Sequence, residues 1–274
     1  LVGAYVSRGN GNGSRTVGTQ FSAYGATSTY TPGENDSGAY ALGAVTTLIP
    51  MTTAQAWYYN VTDIANAYWL ETDSKLPYGI GLGLQYGAMA ATGTLDTALK
   101  NANVQDKDTD AYAIKLYGEY AGVKMAASYS SVSEGVLPLA NTATGFTKTK
   151  LYTASILSDG RLAAQPDVKS WKLEASTKLA GFDLGASYAS YDVGENNSGS
   201  GRFIGLGAPY TLTQYQLHKD KSPSEFDFSV GTKIDEVNLT AYYIMQSDYT
   251  ATAATGPAET RDRTAVRVIA SINF

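Results

Sequence analysis

Few residues of this chain have the type and spacing that catalysis requires. Its 274 residues include no cysteine and one histidine, His218, which lies between Leu217 and Lys219. Hydrolytic nucleophiles are usually activated by a neighbouring base, most often a histidine. An isolated histidine beside a lysine is more typical of a solvated loop, so the sequence predicts a protein that is not an enzyme.

Metal and nucleic-acid chemistry have little support either. Asp106, Asp108 and Asp110 form a D-x-D-x-D run of hard oxygen ligands that suits Ca²⁺. The run lacks the glycine and the bidentate glutamate of an EF-hand loop, so calcium binding stays an open alternative, and we expect no cofactor. The formal net charge of −5 argues against a nucleic-acid partner.

Apolar and polar side chains alternate with a period of two along most of the chain. The final segment, 264–274, reads TAVRVIASINF and ends on an aromatic residue, Phe274. A strand that turns one apolar row to lipid and closes on an aromatic is common in outer-membrane β-barrels. A soluble β-sandwich or β-solenoid also alternates, but sandwich strands are usually shorter than these.

The same alternation predicts about thirteen strands. Tight turns at Ala121-Gly122, Ala180-Gly181 and Lys233 to Glu236 contrast with long loops at 133–167 and 193–222, an asymmetry typical of outer-membrane barrels. Single-chain bacterial barrels normally have an even number of strands, so we expect N-terminal strands to be missing; the alternative is an uncounted strand within 133–167 or 193–222. The strands are predicted at about 1–8, 16–25, 38–49, 53–61, 64–74, 78–89, 110–120, 122–132, 168–179, 181–192, 224–233, 236–247 and 262–274.

One stretch of the chain resembles a known family. Residues 56–87, AWYYNVTDIANAYWLETDSKLPYGIGLGLQYG, resemble OprD-type porins and the major outer-membrane porins of epsilonproteobacteria. The hairpin at 111–131 and the Pro209-Tyr210-Thr211 loop fit the same family. The resemblance implies a trimeric pore of roughly 18 strands in an outer membrane, passing small solutes.

Charged residues of both signs fall on the strand face opposite the apolar row. That face carries seven basic and seven acidic residues, Glu71 and Glu225 among them, which is too much charge to bury without water. OprD-type pores are known for a basic ladder, whose nearest equivalents here are Lys172, Lys178, Arg263 and Arg267. The interleaved Glu174 and Asp227 favour general diffusion with weak selectivity. We predict as pore-lining Lys115, Glu119, Lys124, Lys172, Glu174, Lys178, Asp227, Arg263 and Arg267.

Together these patterns predict an all-β protein, a transmembrane antiparallel β-barrel of the outer-membrane porin type with about 14–18 strands. Residues 1–274 are expected to form a single barrel domain in the bacterial outer membrane. The expected function is passive diffusion of small hydrophilic solutes and ions, with outer-membrane lipid and two further copies of a homotrimer as partners. The alternative is a structural or adhesive barrel that binds partners through its long extracellular loops.

Overall fold

A computed structural model provides the fold. It describes residues 1–6, 8–9, 19–20, 39–62, 65–101, 106–135, 137–139, 149–158, 162–194, 222–251 and 259–272. Among these residues, no helix is long and apolar enough to cross a membrane.

Twelve strands form one antiparallel sheet in which each strand pairs with the next of these twelve along the chain. Two short strands, β2 (Arg8–Gly9) and β3 (Thr19–Gln20), pair separately. The twelve are β1 Val2–Val6, β4 Ala39–Thr46, β5 Thr52–Val61, β6 Ala65–Lys75, β7 Ile80–Ala91, β8 Thr109–Tyr120, β9 Val123–Val132, β10 Val168–Leu179, β11 Phe182–Val193, β12 Ser224–Ile234, β13 Val237–Ala251 and β14 Glu259–Ile272.

The sequence-based strand assignments are confirmed along most of the sheet, with corrections near its two ends. The predicted strand 1–8 leaves the sheet after Val6, because Arg8 belongs to the separate pair of short strands. The predicted strand at 16–25 is wrong as a member of the sheet, because its described residues, Thr19–Gln20, pair only with β2. Strand β13 also runs past the predicted end at 247, to Ala251, after a break in register between Gln246 and Tyr249. A bulge of this kind lets a strand continue beyond the point where simple alternation stops.

One helix interrupts the succession of strands. Helix α1 (Gly93–Asn101) lies in the connection between β7 and β8, where no helix was expected. Asp96 forms an ion pair of 2.6 Å with Lys100, one turn later, and a second one with Lys107. Hydrogen bonds from Lys100 and then Lys107 lower the pKa of the Asp96 carboxyl below its usual range.

Tight turns join the strands at one end of the sheet. Ala121 and Gly122 have φ angles of 51° and 78°, and Ala180 and Gly181 have 50° and 85°. Two consecutive positive φ angles are the signature of a type I′ hairpin, which suits the twist of the two strands that it joins. At the other end, long connections follow β7, β9 and β11.

The two faces of the sheet differ in chemistry. One face, here called the outer face, carries exposed apolar and aromatic side chains. Some of its aromatic side chains meet in pairs, with ring centroids 5.2 Å apart for Tyr58 and Tyr68 and for Trp171 and Tyr188. Its exposed large side chains include Tyr40, Leu42, Leu70, Leu84, Tyr86, Tyr112, Ile114, Leu116, Leu173, Phe228, Tyr243, Val266 and Val268.

The opposite face, here called the loop-bearing face, is covered in part by the connection between β9 and β10. A cluster of buried apolar residues lies between this connection and the strands. Leu99 of helix α1 belongs to the same cluster. A second, smaller apolar cluster on this face includes Leu162, Val168 and Tyr191, and charged residues occupy other parts of the face. The first cluster includes Val61, Trp69, Met89, Val132, Leu137, Leu139 and Leu151.

Candidate functional site

Residues 149–158, here called the crossing segment, run over the loop-bearing face from the β6–β7 side towards β14. At the first end, Gln85 exchanges hydrogen bonds with the segment backbone: its amide nitrogen donates to the Lys150 carbonyl at 3.0 Å, and its oxygen accepts from the Tyr152 amide at 3.2 Å. The Tyr152 hydroxyl donates to Glu71 Oε1 at 3.2 Å. This end is therefore bound to two neighbouring strands, β6 and β7.

A glycine lets the Tyr152 ring lie against β7. A Cβ atom at Gly83 would lie 2.6 Å from the Tyr152 hydroxyl oxygen, closer than real contacts allow. Lys115, opposite Gly83 in the register, has its Nζ 4.2 Å from the Tyr152 ring centroid, within cation–π range. Burial, and then the charge and hydrogen bond of Glu71, raise the pKa of the Tyr152 phenol.

The middle of the crossing segment is held by side chains of β9, β10 and β11. The hydroxyls of Ser130 and Thr153 lie 2.6 Å apart. Lys172 Nζ donates to the Ala154 carbonyl at 3.0 Å. The buried Tyr191 hydroxyl lies 3.1 Å from the Thr153 carbonyl oxygen and 2.6 Å from Ser155 Oγ. Strand side chains thus meet the backbone polar groups that a segment outside the sheet would otherwise leave unpaired.

At its far end, the crossing segment reaches β12 and β14. Arg267 donates to the Ile156 carbonyl at 3.1 Å. The carboxylate of Glu225 accepts hydrogen bonds from two consecutive backbone amides, Leu157 at 2.7 Å and Ser158 at 3.3 Å. The segment therefore spans the sheet from β6 to β14.

All nine residues predicted to line a pore lie on the loop-bearing face, because the strand register gives each of them the same side as the residues that bind the crossing segment. Successive partners in one row across the sheet include Lys115 on β8, Lys172 on β10 and Arg263 on β14. The remaining six, at neighbouring levels of the same face, are Glu119, Lys124, Glu174, Lys178, Asp227 and Arg267.

The surroundings of these nine residues differ. Lys172 is buried under the crossing segment and pairs with the half-exposed Glu174 at 2.7 Å. Asp227 is also buried and accepts a hydrogen bond from Ser187 at 2.9 Å through Oδ2, while its Oδ1 has no hydrogen-bond partner among the residues that the structure describes. Lys178 forms a highly exposed pair with Asp183 at 3.1 Å near the tight turns. The face thus combines charges in contact with solvent and charges that the segment covers.

A cavity of about 620 Å³ opens on this face beside the crossing segment, with Ile156 at its border. Its wall contains five of the nine predicted residues, two basic and three acidic. The cavity therefore brings opposite charges together around a space large enough for a hydrated small solute. The five are Lys115, Glu119, Lys124, Glu174 and Asp227.

The sequence analysis missed the crossing segment and the residues that bind it. Glu225 was assigned to a water-filled face, yet it is fully buried and bonded to the segment and to Gln246. Glu71, assigned in the same way, binds Tyr152 and also accepts from Trp69 at 3.0 Å. The alternation along a strand predicts which face a residue occupies, but not which part of the chain covers that residue. This explains both corrections.

Other sequence candidates have a smaller part in the described structure. Asp106, Asp108 and Asp110 are exposed, and among the described residues no group of three potential ligands could hold a metal ion. His218, the Pro209-Tyr210-Thr211 loop and Phe274 lie outside the described residues.

Comparisons with known proteins identify the fold. Similar solved structures include Pseudomonas aeruginosa OpdO, with a TM-score of 0.63, 16% identity and coverage of 98% of this chain and 65% of that one. P. aeruginosa OccK10 (OpdN) has a TM-score of 0.60 and 14% identity, covering 86% of this chain and 61% of that one. The outer membrane protein OprD of P. aeruginosa has a TM-score of 0.57 and 14% identity, covering 86% of this chain and 60% of that one.

The fold is therefore that of a transmembrane antiparallel β-barrel of the OprD type. The chain spans about three fifths of the length of these structures. No protein-family model and no curated protein matches the chain.

Proposed function

We propose that this chain forms an outer-membrane porin, through which small hydrophilic solutes and ions diffuse passively. The observation that carries the proposal is the contrast between the two faces of one sheet: an exposed apolar face, and a charged face with a cavity beside the crossing segment. A barrel in lipid needs the first face outside and a polar one inside. The chemistry is binding and passage, with no reaction.

The outer face supports a location in the membrane. Burying a large aliphatic or aromatic side chain in an apolar phase is favourable by about 1.5–3 kcal/mol, and this face presents many such side chains across most of its strands. Bacterial outer membranes are where barrels of this fold reside. The likeness to the outer membrane protein OprD supports the same location.

The narrower parts of the proposal rest on the resemblance of residues 56–87. They are a homotrimeric assembly and kinship with the major porins of epsilonproteobacteria. The proposal of one barrel domain over residues 1–274 rests on the chain length and on the alternation along most of the chain. Weak selectivity rests on the mixed charges of the cavity wall, where Lys115 and Lys124 stand among three carboxylates.

Proteoliposomes that contain the purified protein test the proposed diffusion. We expect them to swell in small neutral sugars, with a rate that falls steeply as the sugar grows, because the cavity limits the cross-section. Replacing Ser187, which lines the cavity, with tryptophan should slow swelling. Ser190→Trp, three residues further on the opposite face of the same strand, is the matched control and should swell like the unchanged protein. The proposal would be contradicted if the protein assembled in the vesicles but they swelled no faster than vesicles without protein.

A further inference from the structure

Two consecutive backbone amides of the crossing segment are bound by one buried carboxylate. Glu225, on β12, is fully buried. Its Oε1 accepts from the Leu157 amide at 2.7 Å and its Oε2 from the Ser158 amide at 3.3 Å, while Gln246 on β13 donates to Oε2 at 2.6 Å. Two of these three donors belong to the segment, so the segment accounts for most of the hydrogen bonding of this carboxylate.

The surroundings make these two hydrogen bonds hard to replace. Directly opposite Glu225 in the register stand Ala189 on β11 and Gln246 on β13, neither of which carries a charge. Lys172 and Arg263 lie in the same row, two strands away on either side. A buried carboxylate short of donors is strongly unfavourable, and departure of the segment would leave Glu225 with Gln246 alone of the three donors named above.

Further charged and titratable groups lie near by on the same face. Asp227 is the next residue on this face of β12, and two neighbouring carboxyl groups disfavour each other's ionised form. Glu174 on β10 pairs with Lys172, Tyr191 on β11 contacts Ser155, and Arg267 on β14 binds Ile156. Lys172 and Arg267 therefore bind carbonyls of the segment, while Glu225 binds its amides.

Glu225 acts at the part of the segment that borders the cavity. Ile156 lines the cavity, and the residues that Glu225 holds, Leu157 and Ser158, follow it directly. The position of the cavity border thus depends on a residue that is itself sealed from the cavity.

We propose that Glu225 is the positioning residue of the pore: its carboxylate fixes residues 156–158 against β12–β14 and thereby keeps the open cross-section constant. The inference rests on the proposed porin function for its effect on current, although the position of the segment can be measured without conduction. Glu225 touches no solute and acts only through the segment.

The experiment compares two variants with the same loss of charge. Glu225→Gln keeps the size of the side chain but replaces one acceptor oxygen with an NH₂ group, which cannot accept from a backbone amide. Glu236→Gln, in the exposed turn after β12, is the matched control. Ser158→Cys serves as a reporter in both backgrounds, since Ser158 is buried and the chain has no cysteine of its own.

We expect a small hydrophilic maleimide to label Ser158→Cys about tenfold faster in the Glu225→Gln background than in the Glu236→Gln background, because charge-assisted hydrogen bonds to the segment are lost. In planar bilayers, Glu225→Gln channels should flicker between at least two current levels on the μs–ms timescale of loop motions. Glu236→Gln channels should keep a single steady level.

A second variant tests the same contact from the segment side. Leu157→Pro removes the backbone N–H that donates to Glu225 Oε1 and leaves the sheet unchanged. It should also speed labelling of Ser158→Cys. In the double variant with Glu225→Gln, the labelling rate should rise by less than the two single effects combined, because both substitutions remove the same contact. This variant carries the test if Glu225→Gln fails to assemble.

Equal labelling in the Glu225→Gln, Leu157→Pro and control backgrounds would overturn the inference. Faster labelling with no conductance, even of the unchanged protein, would uphold the contact and contradict the porin function. Faster labelling with a steady current would overturn the proposed effect on the open cross-section.

Discussion

Three carboxylates on the loop-bearing face illustrate how differently one residue type is used. Glu174 is half exposed, pairs with Lys172 and lines the cavity. Asp227 is buried at the cavity wall, where Ser187 donates to one of its oxygens. Glu225 is sealed from the cavity and binds backbone amides. The crossing segment, which covers some of these side chains and leaves others open, creates the difference.

Tyr191 provides a direct measure of how firmly the crossing segment is held. Tyr191→Phe should lower the free energy of unfolding by about 1–2 kcal/mol, because the Thr153 carbonyl and the Ser155 hydroxyl lose a buried partner. Urea unfolding in detergent micelles measures the change. Tyr188→Phe, on the outer face of the same strand, is the control and should shift stability by less than about 0.5 kcal/mol. Equal shifts in the two variants would contradict the assigned role.

How much of the site the sequence predicts can be argued from single residues. Alternation assigns Lys115, Lys172 and Asp227 to one face, and the register agrees because cross-strand partners share a side. Alternation gives no sign that Lys172 and Asp227 are buried, since their cover comes from a distant part of the chain. The sequence therefore predicts which face carries the candidate site, but not which of its residues are buried.

At the scale of elements, strands β4 to β12 follow the alternation closely, because a strand with one apolar side has one favourable register. The elements that the sequence analysis missed are those with no period of two. Helix α1 (Gly93–Asn101) and the crossing segment both lie in connections, where contacts with distant strands decide the conformation. The long connection at 133–167 was predicted as a loop, but its path across the sheet was not.

The tight hairpins supply a prediction about the elements themselves. Gly181 has a φ angle of 85°, so Gly181→Ala should destabilise the fold by about 1–2 kcal/mol through strain in the left-handed region. Gly3→Ala is the matched control, because no atom of the described residues lies within 4 Å of a Cβ placed at Gly3 and its φ angle is not positive; its effect should stay below about 0.5 kcal/mol. If the two variants unfold at the same urea midpoint, the turn assignment is contradicted.

At the scale of the whole molecule, the two faces of a single sheet carry the functional argument. Apolar and aromatic side chains cover the outer face, and mixed charges surround the cavity on the other. A sheet of this kind is stable in a bilayer only if its charged face meets water. The central claim is therefore that the loop-bearing face conducts.

Chemical block of single channels tests that claim most directly. Glu174 lines the cavity, while Leu173, its neighbour on β10, is exposed on the outer face. Each is replaced by cysteine in this cysteine-free chain, and single-channel current is recorded before and after a bulky hydrophilic thiol reagent is added. We predict that the current of the Glu174→Cys channel falls by about half or more, because the added group narrows the path, and that the Leu173→Cys channel is unaffected. An unchanged current through the Glu174→Cys channel after complete modification would contradict the account.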